Sequence, residues 1–192
     1  MNVLVLMKQV PDTEAKITVR SGSADIVREG LSYIINPYDE FAIEEALRIK
    51  EKFGGSVTVM ALGPDRATEA LRTALAMGAD EAVHLKDDAF EGCDPHGTAQ
   101  ALVAAARGIP FDLILCGKQA IDDDSAQVGP LVAELLGLPQ VTVVTSLEID
   151  PDGRRARARR EMDGYAEVVQ TEIPAVITAQ KGLNEPRFPS LP

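Results

Sequence analysis

Residues 113–130 read "LILCGKQAIDDDSAQVGP", an apolar run ending in a glycine, a lysine and, after three intervening residues, three adjacent aspartates. The run "DLILC" (112–116) is short and continuously apolar, as expected of a strand buried on both faces. Beyond the aspartates, Val128, Leu131, Val132, Leu135 and Leu136 fall at helical spacing, and Gly137 stops the pattern. Strand, polar loop and helix together form the first part of a crossover to a parallel strand. The same alternation recurs along the chain. "VLVLM" (3–7), "SVTVMAL" (56–62), "EAVHL" (81–85) and "QVTVV" (140–144) are the companion strands. The fold class this predicts is α/β: a doubly wound, mostly parallel sheet of order 3-2-1-4-5 with helices on both faces.

Helix starts and stops are legible between these strands. Asn36-Pro37 offers an N-cap with proline in the first turn, and Ile43, Ala46 and Leu47 form the apolar stripe. Gly63-Pro64-Asp65 opens a second helix that Gly78 ends, and Asp94-Pro95 opens a third that ends near Gly108. Two segments break the alternation. Residues 12–35 are too long for a simple loop and predict a hairpin turning at "SGS" (21–23). Residues 146–180 predict an antiparallel extension with a turn at Asp163-Gly164. Its arginines between 154 and 160 alternate with Ala156 and Ala158, which reads as a solvated edge strand. Residues 1–180 are expected to make a single α/β domain, and 181–192, "KGLNEPRFPSLP", an exposed loop.

Composition narrows the function. The 192 residues are 45% hydrophobic but only 4% aromatic, with no Trp, which suits an Ala/Val/Leu/Ile core. A formal charge of −11 argues against nucleic acid as principal partner, because phosphate backbones need a positive surface. Cys93 and Cys116 make neither a disulfide framework nor a zinc site. The first residues read as a strand and not a signal peptide, and no apolar stretch approaches the roughly 20 residues of a membrane helix. Cytoplasm is the expected compartment, or the mitochondrial matrix if the source is eukaryotic.

In an open parallel sheet, ligands sit beyond the carboxyl ends of strands where the order reverses. Here that point lies between "KQVPD" (8–12) and "GKQAIDDDS" (117–125). No phosphate-loop or G-x-G-x-x-G signature is present. Successive side chains of an extended segment point to opposite sides, so Asp122, Asp123 and Asp124 are poorly placed to share a cation. Two readings stay open for them: capping the following helix, or shaping a loop whose backbone meets a phosphate. His84 reads as a core or sheet-face residue and His96 as solvated. No catalytic set of Ser, His, Asp or Cys can be assembled, so any chemistry comes from a bound cofactor.

Four strings in this order, "INPYDEFAIEEALRIKE", "LRTALAMGADEAVHL", "CGKQAIDDDSAQVGP" and "LNEPRFPSLP", resemble the electron transfer flavoprotein β-subunit (ETF β, FixA) family from Met1 to Pro192. The resemblance implies an adenine nucleotide alpha hydrolase-like fold and a heterodimer with an α subunit that holds most of the FAD. It implies a carrier with no catalytic residues of its own, taking electrons from flavin dehydrogenases, such as those of fatty acid oxidation, to an ETF:quinone oxidoreductase. It also implies a nucleotide buried in this chain. By position, its pocket maps to Leu6, Asn36, Pro37, Tyr38, Asp39, Leu62, Gly117, Lys118, Gln119, Ala120, Ile121, Asp122, Asp123, Asp124, Ser125, Ala126, Gln127 and Val128. The tail resembles the loop that recognises partner dehydrogenases, through Leu183, Asn184, Glu185, Pro186, Arg187 and the anchoring Leu191.

In most members the buried nucleotide is a structural AMP, whereas electron-bifurcating members hold a second FAD. Tyr38, Lys118 and Asp123 lean toward AMP, because bifurcating members show "NPDD" and "GRQAIDGDTAQVGP" at these places. "SAQVGP" and "DPHGTA" (94–99) lean the other way. The expectation is AMP, with a second FAD, or a universal-stress-type nucleotide module, as alternatives. Mitochondrial-type members carry an aromatic near Thr13 beside the α-bound flavin, a contact threonine does not supply. Members also continue past "SLP" with a basic stretch and a C-terminal arm, so the sequence ending at Pro192 is expected to be a truncated form.

Overall fold

The computed structural model describes residues 1–152 and 154–190. In chain order it contains β1 (Val3–Met7), β2 (Gln9–Pro11), β3 (Tyr33–Ile35), α1 (Pro37–Phe53), β4 (Val57–Leu62), α2 (Ala67–Met77) and β5 (Glu81–Leu85). There follow α3 (Pro95–Ala106), β6 (Leu113–Gly117), α4 (Val128–Leu136), β7 (Gln140–Asp150), β8 (Arg155–Met162), β9 (Tyr165–Glu172) and β10 (Ala175–Ala179). Eight strands join in the order β5-β4-β1-β6-β10-β7-β8-β9, with β2 and β3 as a separate antiparallel ribbon.

All five residues of β1 are buried, and the two-residue period of a strand divides them. Val3, Val5 and Met7 pack in the layer under α1 and α2 with Ile43, Leu47, Leu71 and Ala74. Leu4 and Leu6 face the layer formed by α3 and α4, with Leu102, Val103 and Val132. A continuously apolar strand is therefore a strand with a helix layer on each side. Burying each such side chain contributes about 1.5–3 kcal/mol.

The first four parallel strands take the order 3-2-1-4. The fifth position differs in detail. The sequence places "QVTVV" beside β6, but β10 occupies that slot, parallel to both β6 and β7. The segment 165–179 is thus split: 165–172 continues the antiparallel extension, while "AVITA" is buried at every position and enters the parallel core. Pro174, which lacks an N–H for the ladder, marks the division.

The extension is a β7-β8-β9 meander with its tight turn at Asp163-Gly164. The arginine-rich strand is not its edge, because β8 lies between β7 and β9. Its alternation has another cause: Ala156 and Ala158 are buried against the core while Arg155, Arg157 and Arg159 are exposed. Between β2 and β3 the predicted hairpin forms, with an isolated Val19–Ile26 bridge around the "SGS" turn.

Helix ends follow the sequence with one shift. Asp94 caps α3 through Oδ1, which accepts from the Gly97 N–H at 2.7 Å. Gly137 ends α4 at φ 68°, in the left-handed region. Regular α2 starts only at Ala67, after a turn at Gly63-Pro64.

The tail is not the wholly exposed loop its composition suggests. Asn184 is buried and its Nδ2 donates to the Phe41 carbonyl (2.9 Å) and to Glu45 Oε2 (3.0 Å). Arg187 donates to Glu44 through Nε (2.8 Å) and Nη2 (3.1 Å), and to Glu51 through Nη1 (2.6 Å). Ser190 then binds the Ala76 carbonyl at the end of α2. Residues 183–190 form a strap across α1, held by an ion pair that apolar periodicity does not reveal.

Candidate functional site

The carboxyl ends of β1 and β6 lie side by side at the switch point, and the N-terminus of α1 closes over them. Asp39, in the first turn of α1, is 5% exposed. Its Oδ2 accepts from the Lys8 N–H at 2.7 Å, and its Oδ1 accepts from the Gly117 N–H at 2.7 Å. One carboxylate thus clamps the two lips of the crevice. Burial pushes this carboxyl up to about 7, against the two N–H donors, Asn36 and the Lys8 charge, all of which favour the anion.

The clamp requires Gly117. A Cβ there would stand 2.5 Å from Asp39 Oδ1 and 2.6 Å from the Tyr38 Cβ, distances no relaxed side chain tolerates. Beneath it, burial and the neighbouring Asp39 charge push the Cys116 thiol up, so it is an inert core thiol and not a nucleophile.

Asn36 is the N-cap residue of α1 by position, yet its side chain makes no cap bond. It reaches across the crevice instead. Nδ2 donates to the Gln119 carbonyl (2.9 Å), and Oδ1 accepts from the Ile121 N–H (3.2 Å). This fixes the start of the loop after β6.

The three aspartates hold the rest of that loop, each in its own way. Asp122 and Asp123 grip Lys8 Nζ at 2.8 and 3.0 Å. Asp123 also accepts from the Ser125 N–H through Oδ1 at 3.0 Å. Asp124, at φ 51°, accepts from Gln119 Nε2 at 2.5 Å. None caps α4 through a helical N–H. Among the described residues no group of His, Cys, Asp and Glu could hold a metal ion.

Ala126 adopts φ 54° and Gln127 the right-handed helical region. Adjacent left- and right-handed residues turn successive N–H groups toward one point, forming an anion-binding concavity. The N–H groups of Ala126, Gln127, Val128 and Gly129 have no acceptor among the described residues. They stand at the N-terminus of α4, whose dipole favours negative charge.

These elements enclose a cleft of about 250 Å³. Of the residues the sequence assigns to a pocket, Leu6, Asn36, Asp39, Leu62, Gly117, Lys118, Gln119, Ala120, Asp123, Ser125, Ala126, Gln127 and Val128 line it. Pro37, Tyr38, Ile121, Asp122 and Asp124 do not. Pro37 is the first residue of α1, Tyr38 stacks under Lys118 Nζ (5.0 Å to the ring centre), and Asp122 faces Lys8. The wall formed by Phe90, Cys93, Pro95 and Thr98, together with Lys8 and Gly129, is absent from the sequence assignment. A signal for that wall existed in the Asp94-Pro95 helix start, which opens on the same rim.

His84 bonds the Gly63 carbonyl through Nε2 (2.9 Å), outside the cleft, and His96 is exposed. In the tail, Leu183 packs partly against the core, Asn184 and Arg187 are used internally, Pro186 is half-buried and Glu185 is exposed. Leu191 lies outside the described residues. Phe188 projects at 93% exposure.

An electron transfer flavoprotein domain model matches residues 24–191, which takes in the strap and all of the cleft's lining except the end of β1 and Lys8. The chain belongs to the electron transfer flavoprotein β-subunit family. It is 51% identical to electron transfer flavoprotein subunit beta of Thermoanaerobacterium thermosaccharolyticum, across all of this chain and 72% of that protein. It is 49% identical to the corresponding subunit of Bacillus subtilis, across all of this chain and 74% of the relative. A third relative, the caffeyl-CoA reductase-Etf complex subunit CarD of Acetobacterium woodii, is 44% identical across all of this chain and 72% of its own length. No helix of the described residues is long and apolar enough to cross a membrane.

Proposed function

We propose that this chain is the β subunit of a heterodimeric electron transfer flavoprotein, a carrier and not a catalyst, working in the cytoplasm. Its α partner holds the redox-active FAD. Electrons enter from flavin dehydrogenases and leave to an ETF:quinone oxidoreductase, with the tail around Glu185 and Phe188 as the docking segment for the dehydrogenase. The cleft holds AMP as a structural nucleotide.

The backbone concavity at Ala126–Gln127 carries the nucleotide reading. It faces a cleft closed by main-chain clamps and lined by apolar Leu6 and Leu62. At about 250 Å³ the cleft falls just below the roughly 300–1,000 Å³ usual for small-molecule sites. That size suits a mononucleotide and leaves the isoalloxazine half of a flavin dinucleotide outside. In this arrangement Ala126 to Gly129 donate to the phosphate, Asn36 and Asp39 fix the lips, and no side chain is asked to move a proton.

A second reading is favoured by the "DPHGTA" stretch, whose Pro95 and Thr98 line the cleft, and by the kinship to an Etf-complex subunit. In that reading the cleft holds the adenylate end of a second FAD. Co-expression with the α subunit and purification through a tag on this chain separates the two. A heterodimer with one FAD, and a colourless β chain after separation, supports the carrier with AMP. Two flavins per heterodimer establish the second reading, and a homodimer that binds ATP without an α partner would sink both.

A further inference from the structure

A second pocket, of about 320 Å³, opens on the other side of Lys8. It lies between the β2–β3 ribbon and the turn from β4 to α2. It shares Lys8 and Leu62 with the cleft, and adds Gln9, Arg28, Tyr33, Arg66 and Asp122. Its cations are not equivalent. Lys8 is paired with Asp122 and Asp123, and Arg28 with Asp25 at 2.7 Å. Arg66 makes no ion pair among the described residues, in a chain whose formal charge is −11. Counter-charges are abundant, yet none reaches it.

The surroundings of Arg66 hold it ready for an anion. Its Cζ stands 4.3 Å from the centre of the Tyr33 ring. Stacking uses the face of the guanidinium and leaves its N–H donors free in the plane. Gln9 Nε2 fixes the Arg66 carbonyl at 2.9 Å. Two polar atoms at this place are buried without partners: the donor Arg66 Nε and the acceptor Gln9 Oε1. Native structures rarely leave such groups unpaired, because a buried polar atom without a partner loses its hydration with nothing in return. An unpaired cation, a buried donor and a buried acceptor on one pocket are the complement of an oxygen acid that also carries a hydroxyl or amide hydrogen.

We propose that this pocket is an oxyanion-binding site, distinct from the nucleotide cleft, that takes a phosphate or carboxylate group. Arg66 is the charged donor, Tyr33 the platform that orients it, and Gln9 the acceptor for a hydrogen of the same ligand. The site goes beyond the nucleotide reading and does not depend on it.

The test is calorimetric titration of the full chain with inorganic phosphate and, separately, with acetate, in the absence and presence of saturating AMP. The wild type binds at least one of the two anions, and AMP leaves that binding in place. Arg66→Gln weakens anion binding by about tenfold or more, the loss expected for a charged hydrogen-bond pair, and leaves AMP affinity unchanged. Arg66→Lys, which keeps the charge but not the flat fork, falls between the two and decides the matter if the glutamine variant does not fold. Preference for phosphate points to a phosphorylated ligand, and preference for acetate to an organic acid. Anion binding that is equal in wild type and both variants overturns the site. So does binding abolished by AMP, or no binding of either anion.

Discussion

Helix α1 holds two distant segments with buried carboxylates, and the two contacts are built differently. At its N-terminus Asp39 meets neutral donors, the main-chain N–H groups of Lys8 and Gly117 and the Asn36 side chain. Five residues later in the same helix, Glu44 meets two guanidiniums, Arg48 at 2.9 Å and Arg187 at 2.8 Å, and its side chain is 3% exposed. Burial acts on both and favours the neutral acid. For Asp39 it wins, and the carboxyl rises to about 7. For Glu44 the arginines outweigh it and hold the carboxyl below its usual range. Neutral donors fix geometry without adding charge, which suits the floor of the cleft proposed to take a nucleotide. Full charges hold the strap, where only mechanical attachment is needed.

The signs of the pH dependence are opposite. Folded Asp39 binds its proton more tightly than the unfolded chain does. Its contribution to stability is complete below about pH 4 and is lost as pH rises through about 7. Glu44 contributes above the ordinary carboxylate range and loses that contribution as pH falls below it.

Perturbing the clamp gives the largest expected effects. Gly117→Ala forces α1 away from β6, because the new Cβ collides with Asp39 and Tyr38. We expect a loss of about 3 kcal/mol in urea unfolding and a cleft that no longer binds AMP. Asp39→Asn leaves one N–H without an acceptor and costs about 1–3 kcal/mol. It also removes the fall in stability between about pH 4 and pH 7 that the wild type shows through this group, so unfolding curves at several pH values check both statements. Arg187→Gln sets the comparison from the other side. The strap loosens at a cost of about 1–2 kcal/mol, reduced by the partial exposure of the arginine, while AMP affinity stays unchanged. Hydrogen exchange would locate the loss at residues 183–190. Lys8→Gln breaks an ion pair in which the lysine is 42% exposed, and costs under about 1 kcal/mol. An effect on AMP affinity larger than that of Asp39→Asn would show that the aspartate loop, and not the clamp, shapes the cleft.

Much of the parallel core was legible because its strands are continuously apolar and its helices carry caps and stop signals that depend on a few neighbouring residues. The position of β10 was not, because "AVITA" reads equally well as the end of an antiparallel arm or as a core strand. Long-range pairing with β6 decides between them. The cleft's near wall could be located at 117–125 from the switch-point rule, and the family resemblance extended it to Val128. The far wall at Phe90 to Thr98 was signalled only by the Asp94-Pro95 helix start, which marks the rim without showing which of its side chains line the cleft. The role of Asp39 was equally hidden: a first-turn acid looks like a response to the helix dipole, and only the tertiary structure turns it toward two strand ends. The aspartate triplet, in turn, looked like a helix cap or a phosphate loop. It serves the loop, through Lys8, Ser125 and Gln119.

Native mass spectrometry of the purified heterodimer, with the mass of each released ligand, bears most directly on the cleft. A structural mononucleotide site gives one AMP retained by this chain and one FAD retained by the α partner, with the AMP lost on Gly117→Ala. A second FAD on this chain, or a stable heterodimer with an empty cleft, contradicts it.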